Sequence, residues 1–407
     1  MSWRPLLEGD DAARAHETVA AIAADLAAIE PDGPGFNSGH ASRAVLGVHL
    51  ARTGDGEAGD RAVDALEAAL DAIDRAPTPW LMDGLAGVAW TAAHLGDLVD
   101  IDEETLADLD RLVGRILEID PWRFEWEYVL GLTGLAVYAV ERPGAAGDAL
   151  LARVVGHLSA LAERSEGGAI TWRSPPTLLL TQEQRDDNAG GYYNLGLAHG
   201  VLGVMLLLAE AAVRGVAGAG DLLRGAVTWL AGHDSGDPAF RYPLMIARGV
   251  SHSGSRDGWC YGDQAVAAAL VRAGQVLGEP SWIERGLSAA RDVARREPVT
   301  PLDAAFCHGT LGRAHMFNRL AQATGDDELA AAARLWYRRT FEQRVAGSGI
   351  GGFTFDERTS EAASILTGST GIALGLLAAA SPVEPGWDRA FLIALPPGEQ
   401  QRPTGSP

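Results

Sequence analysis

The chain contains no lysine; each of its 33 basic residues is an arginine. That absence removes whole classes of chemistry. A Schiff-base lysine, a pyridoxal-phosphate lysine and the lysine of a phosphate-binding P-loop have no residue to supply them. Positive charge is scarce overall: against 54 acidic residues the net charge is −21. This argues against nucleic acid as a partner and disfavours docking on anionic lipid. Only two cysteines occur in 407 residues, so there is no disulfide framework and a reducing compartment is expected. Long apolar runs are missing too. The best, 195–213, contains His199 and Glu210, whereas a membrane span needs about 20 predominantly apolar residues. The first 26 residues carry Glu8, Asp10, Asp11 and Glu17 and lack the basic start and apolar core of a secretory signal. The expectation is a soluble, cytoplasmic protein without membrane insertion.

Glycine, by contrast, is in excess. Its 50 residues make up about 12% of the chain, against a typical ~7%. Much of it falls in a repeat. Gly84-Leu-Ala-Gly87, Gly131-Leu-Thr-Gly134, Gly200-Val-Leu-Gly203, Gly309-Thr-Leu-Gly312 and Gly368-Ser-Thr-Gly371 each open an apolar stretch. Gly39-His-Ala-Ser42 and Gly262-Asp-Gln-Ala265 are degenerate copies. The shorter steps, about 45 residues, fit a unit of two helices with its connections. Segments between motifs, such as 60–73, are amphipathic at helical spacing, and those after the motifs are apolar all round. Seven such units predict an all-α protein, an α/α toroid with seven inner and seven outer helices. It would form one domain over residues 1–395, with an irregular or β-rich excursion near 165–194. The proline-rich end, 396–407, is expected to be disordered.

The chemistry-bearing residues lie just ahead of the glycine motifs. Both cysteines do so, in Trp259-Cys260-Tyr261-Gly262 and Cys307-His308-Gly309. Two thiolates and an imidazole are a zinc-type donor set, one ligand short of tetrahedral closure. Catalytic zinc sites keep that fourth position open, and structural sites fill it with protein. The counting leans toward catalysis by Cys260, Cys307 and His308 around one Zn²⁺ per chain. A closed site with His199, which precedes Gly200, as fourth ligand is the alternative. Because the three blocks share one repeat register, the ring is expected to bring them together on consecutive inner helices. His40, His94 and His315 also lie near motifs and receive no role.

These blocks, Leu197-Ala-His199-Gly200, Trp259-Cys260-Tyr261-Gly262 and Cys307-His308-Gly309, together with the seven glycine motifs and Trp387-Asp-Arg-Ala-Phe-Leu392, resemble the lanthionine synthetase C family, the lanthipeptide cyclases. The resemblance implies a double helical ring around a central zinc. It implies a reaction in which a cysteine thiol of a dehydrated precursor peptide adds to dehydroalanine or dehydrobutyrine, giving a lanthionine or methyllanthionine thioether. His199 matches the family's acid/base histidine, and Arg256 its conserved arginine, which would stabilise an enolate or hold an acidic partner; from its chemistry Tyr261 is a further electrophilic candidate. Glu127 stands where the family carries an aspartate, and Gln264-Ala265 replaces a Pro-Gly pair. The chain has no room for a fused dehydratase, so a separate one is expected. Three other readings use the same residues: addition of a small thiol such as glutathione to dehydroamino acids, a non-catalytic zinc toroid that binds peptide, and a glycosidase built on Asp83, Glu125 and Glu127. The last leaves the Cys-Cys-His trio unexplained.

Overall fold

The computed structural model describes residues 3–96, 98–250, 257–298, 302–355 and 359–397. Among them the helices are α1 (Gly9–Ala27), α2 (His40–Arg52), α3 (Gly56–Asp71), α4 (Leu85–Leu95), α5 (Glu103–Ile116), α6 (Leu132–Glu141), α7 (Gly144–Leu161) and the short α8 (Gln182–Asp187). They continue with α9 (Val201–Val213), α10 (Ala219–Ala231), α11 (Asp263–Leu277), α12 (Pro280–Arg295), α13 (Thr310–Thr324), α14 (Asp327–Glu342), the short α15 (Thr359–Ala362) and α16 (Ser369–Ala380).

The helices that follow the seven glycine motifs are α2, α4, α6, α9, α11, α13 and α16. Each packs on the next and α16 packs on α2, closing a ring. Outside it, α3, α5, α7, α10, α12 and α14 each pack on the inner helix that precedes them, and α1 packs on α16. The α/α toroid expected from the repeat is therefore the fold. Ring closure is secured by Leu6 and Leu7, whose N–H groups both donate to the Ala379 carbonyl at 2.8 and 3.0 Å.

Composition explains which helix goes where. In α3 the buried residues Ala58, Ala62, Leu66 and Ala69 recur at helical spacing and leave a solvated opposite face. Ten of the thirteen residues of α9 are buried, as a helix with neighbours on every side requires. The N-termini differ as well. Asp55, Asp102 and Asp326 cap outer helices with a side-chain carboxylate. Inner helices start on the motif glycine with no side-chain cap. Their first N–H groups are taken instead by the loop folding back, as in Thr310 N–H to Asp303 O at 2.8 Å. That fold-back leaves no space for a Cβ: one placed on Gly312 would lie 1.6 Å from the Phe306 carbonyl oxygen. Gly262 is needed for another reason, its φ of +93°.

The 165–194 excursion opens with a hairpin, β1 (Glu163–Arg164) just before it pairing with β2 (Ile170–Thr171) inside it. It ends in β3 (Tyr193–Asn194), which pairs with β4 (Met245–Ile246). It also contains α8, opened by a capping box of Thr181 and Gln184, which the sequence reading passed over. Residues 398–407 of the expected tail lie outside the described residues. Among the described residues no helix is long and apolar enough to cross a membrane.

The inner ring is plugged from the C-terminal side by a 3₁₀ turn, Gly386–Phe391. Phe391 packs on Phe306 (ring centroids 4.7 Å apart), Trp259 (5.3 Å) and Phe36 (5.8 Å). Trp259 Nε1 and the Tyr128 hydroxyl donate to the carbonyls of Phe391 and Ala390. The plug is latched electrostatically: buried Asp388 accepts from Arg319 Nε and Nη2, both at 2.6 Å, and lies 2.7 Å from His315 Nε2. His315 thus belongs to the plug. Asp388→Ala leaves the buried Arg319 guanidinium with only Glu384 (2.8 Å) and the Pro385 carbonyl (2.7 Å) and should cost about 3 kcal/mol, read as a lower urea midpoint. Burial pushes the Asp388 carboxyl up, but Arg319 and His315 overcome it and hold the group down to about 2. A depressed carboxyl stabilises the fold above its unfolded value of about 3.9. The wild type should therefore lose on the order of 2 kcal/mol between about pH 4 and pH 2, and Asp388→Ala should lack that component.

Candidate functional site

The seven loops entering the inner helices present their last residues in one register. The residue three before the first glycine is buried in every copy: Phe36, Leu81, Tyr128, Leu197, Trp259, Phe306 and Ile365. The residue directly before the glycine keeps some exposure in every copy: Ser38, Asp83, Leu130, His199, Tyr261, His308 and Thr367. Between these two positions sit Cys260 and Cys307. The loops are stitched edge to edge by main-chain bonds. Leu197 N–H donates to Cys260 O (2.8 Å), Cys260 N–H to Cys307 O (3.2 Å), and Cys307 N–H to Leu366 O (2.8 Å). Ile365 N–H then donates to Asn37 O, and Asn37 N–H to Met82 O, each at 2.8 Å. The candidate site residues are consequently held by loops ahead of α9, α11 and α13, not on those helices as the sequence reading had it. Close packing of each loop against its own helix start causes the difference.

This stitching brings Cys260, Cys307 and His308 together, with one ligand atom from each lying within 4.8 Å of the others. Cys260 Sγ is 4.0 Å from His308 Nδ1. The cysteines are buried and not bridged by a disulfide. A tetrahedral zinc with Zn–S about 2.3 Å and Zn–N about 2.05 Å has ligand–ligand edges of roughly 3.6–3.8 Å. The trio is thus within about 1 Å of ligating geometry, and its soft donors fit zinc. His199 is not a member of this cluster. Behind the Cys260 loop, Asp257 accepts from Arg296 Nε (3.1 Å) and Nη2 (2.8 Å) and from Asp263 N–H (3.2 Å), bracing the loop. Gln264 points into the packed interior, where its Nε2 donates to Arg313 O at 2.9 Å.

Glu127 and His199 meet on the neighbouring loops. His199 Nδ1 lies 2.5 Å from Glu127 Oε2. The Glu127 side chain is only 2% exposed and His199 26%, so the carboxylate is hidden and the imidazole reaches the mouth. Glu127 also accepts from the N–H groups of Val129 (3.1 Å) and Leu130. With Nδ1–H directed to Glu127, the other ring nitrogen of His199, Nε2, is the one that could give or take a proton. Tyr261 takes a side position: its hydroxyl accepts from Asn194 Nδ2 at 2.9 Å. Burial, the largest influence, raises the Tyr261 phenol well above its usual range and keeps it protonated. Arg256 lies outside the described residues.

Sequence reasoning passed over a groove beside Glu127. It has a volume of about 810 Å³, and Trp80, Trp122, Phe124, Glu125, Trp126 and Leu130 contribute to its lining, with Pro175 and Pro176 from the excursion. The crowding of aromatic residues in Trp122-Arg-Phe124-Glu-Trp126 was the available signal. Glu125 is half-buried, and desolvation, then the Glu127 charge, raises its carboxyl.

The profile described as lanthionine synthetase C-like protein matches residues 30–392. Among solved structures, nisin cyclase aligns over 92% of this chain and 96% of its own, at a TM-score of 0.75 and 18% identity. A sugar epimerase from a ruminal bacterium aligns over 73% of this chain and 86% of its own, at a TM-score of 0.47 and 11% identity. The family match runs from the loop before α2 to the end of the plug, and the chain belongs to the lanthionine synthetase C-like family.

Proposed function

We propose that this protein is a zinc-dependent lanthipeptide cyclase. In this reading it joins cysteine thiols of a dehydrated precursor peptide to dehydroalanine or dehydrobutyrine, giving lanthionine or methyllanthionine. The observation that carries the reading is the convergence of Cys260, Cys307 and His308 on loops stitched to the one bearing His199. Zinc held by that trio would supply Lewis-acid activation of a peptide thiol, which otherwise has a pKa of about 8.5.

The protein's own residues do the rest. The buried ring formed by Trp259, Phe306 and Phe391 floors the site with carbon and limits water below it. Glu127 fixes the His199 ring through Nδ1, so Nε2 takes up the thiol proton or delivers one to Cα. The bond that forms joins sulfur to the β-carbon, and the C=C π pair moves toward the carbonyl as an enolate. One proton then closes the cycle at Cα, so the overall change is an isomerisation. Tyr261 and Arg256 are proposed to stabilise the enolate, Arg256 through its place in the motif alone.

The test is incubation of purified protein with a peptide carrying one dehydroalanine and one cysteine. The expected result is loss of the free thiol with no change in mass. Thiol addition that occurs only when glutathione is supplied, with the matching mass gain, would replace this reading by small-thiol transfer.

A further inference from the structure

We infer that the aromatic groove beside Glu127 is a specificity pocket that receives an apolar or aromatic side chain of the substrate peptide, next to the dehydrated residue. The inference rests on the cyclase reading and adds to it a preference in the substrate.

Position is the first argument. Leu130 stands directly before Gly131, the place where other loops carry His199, Tyr261 and His308. It is 41% exposed and lines the groove. Trp126 adjoins Glu127, and Glu125 feels the charge of His199. A peptide with its reacting carbon at His199 therefore has its neighbouring side chains over the groove.

Surface chemistry is the second. Phe124 packs edge-on against Trp80 (centroids 5.8 Å apart, 69°) and Trp122 (5.5 Å, 73°), and 43% of it remains exposed. The indole N–H groups of Trp122 and Trp126 are spent on the carbonyls of Glu125 (3.0 Å) and Arg173 (2.9 Å). Both indoles are themselves buried, so the surface an incoming group meets is chiefly the carbon of Phe124 and Leu130. Large apolar side chains uncovered side by side at one place are a mark of contact sites. The volume lies inside the ~300–1,000 Å³ usual for ligand pockets.

Charge decides between apolar and cationic occupants. Glu125 could attract a lysine, but the Arg123 guanidinium already lies over the Phe124 ring, 5.6 Å from its centroid. Arg173 lines the same groove. Arg173 is paired with Glu163 (2.7 and 3.1 Å), so an incoming lysine would be a third cation there, and it would compete with Arg123 for Glu125 alone.

The probe is a synthetic heptapeptide carrying one dehydroalanine, with serine in place of cysteine so that it cannot react. The residue beside the dehydroalanine is phenylalanine, alanine or lysine, and binding is followed by tryptophan fluorescence. The phenylalanine peptide should bind about tenfold more tightly than the other two. Phe124→Ala, at an exposed site that should leave the fold unchanged by circular dichroism, should abolish that preference. Equal binding of all three peptides, preference for lysine, or preference retained in Phe124→Ala would overturn the inference. Because the probe cannot cyclise, the outcomes separate. Phe124-dependent binding without any cyclisation of cysteine peptides would refute the cyclase reading alone, and cyclisation without the binding preference would refute the pocket alone.

Discussion

Cys307→Ala should empty the proposed zinc site and lower the cyclisation rate by about three orders of magnitude. At pH 7 a thiol of pKa about 8.5 is only ~3% ionised, so loss of activation alone accounts for roughly thirtyfold. Losing the fixed position of sulfur beside its acceptor adds about a hundredfold, the usual cost of misplacing a reacting atom by ~1 Å. The fold should survive, because the interactions that hold this loop are main-chain: Cys307 N–H to Leu366 O, and Cys260 N–H to Cys307 O. Metal analysis should give about one zinc per wild-type chain and less than a tenth of that in the variant. The residual rate of the variant should climb with pH toward about 8.5 as the free peptide thiol ionises. Full zinc retention in Cys307→Ala would remove the site assignment.

The second large effect is expected at His199. His199→Ala should leave zinc content unchanged and lower kcat by about 10²–10⁴, the range for a lost general acid or base, with a drop in the unfolding midpoint worth only about 1–3 kcal/mol because buried Glu127 keeps the N–H groups of Val129 and Leu130. A side chain 26% exposed contributes little packing, so the loss is chemical. Protonation at Cα should also lose its facial preference. In the wild type a single epimer is expected, whereas the variant should give a mixture, because water can deliver the proton from either side. A merely structural histidine would change stability alone and leave the epimer ratio as it is. Glu127→Gln should fall between wild type and His199→Ala. Its amide cannot accept from His199, Val129 and Leu130 together without setting one N–H against its own NH₂.

Much of this site is readable in the chain because a repeat converts sequence position into spatial position. Once the glycines set the register, Cys260 and Cys307 fall two residues before a glycine and His199 and His308 one residue before, and the ring does the rest. The alternation of apolar and amphipathic segments likewise identifies inner and outer helices. Features built from residues outside that register were hidden. The bond from Tyr128 to Ala390 spans 262 positions, and no local pattern announces it. Asp388 reads as an ordinary acidic residue, and its burial against His315 and Arg319 follows from a turn that enters the ring from below. The aromatic groove draws on loops before two different inner helices and on the excursion. His199 lies two residues short of the helix on which the register places it. Apolar periodicity marks where a helix runs but not how tightly the preceding loop wraps its first N–H groups.

The pairing of α1 with α16 sets the order of assembly during synthesis. The outer helix made first is the partner of the inner helix made last, so α1 lacks its main packing surface until residue 380 has left the ribosome. Until then the apolar stripe of α1, with Val19, Ile22 and Leu26, and the open edge of the incomplete barrel are both exposed. Contacts of such long sequence separation form slowly, and uncovered apolar surface of this kind drives aggregation. The nascent chain is therefore most vulnerable in the interval just before its final inner helix arrives.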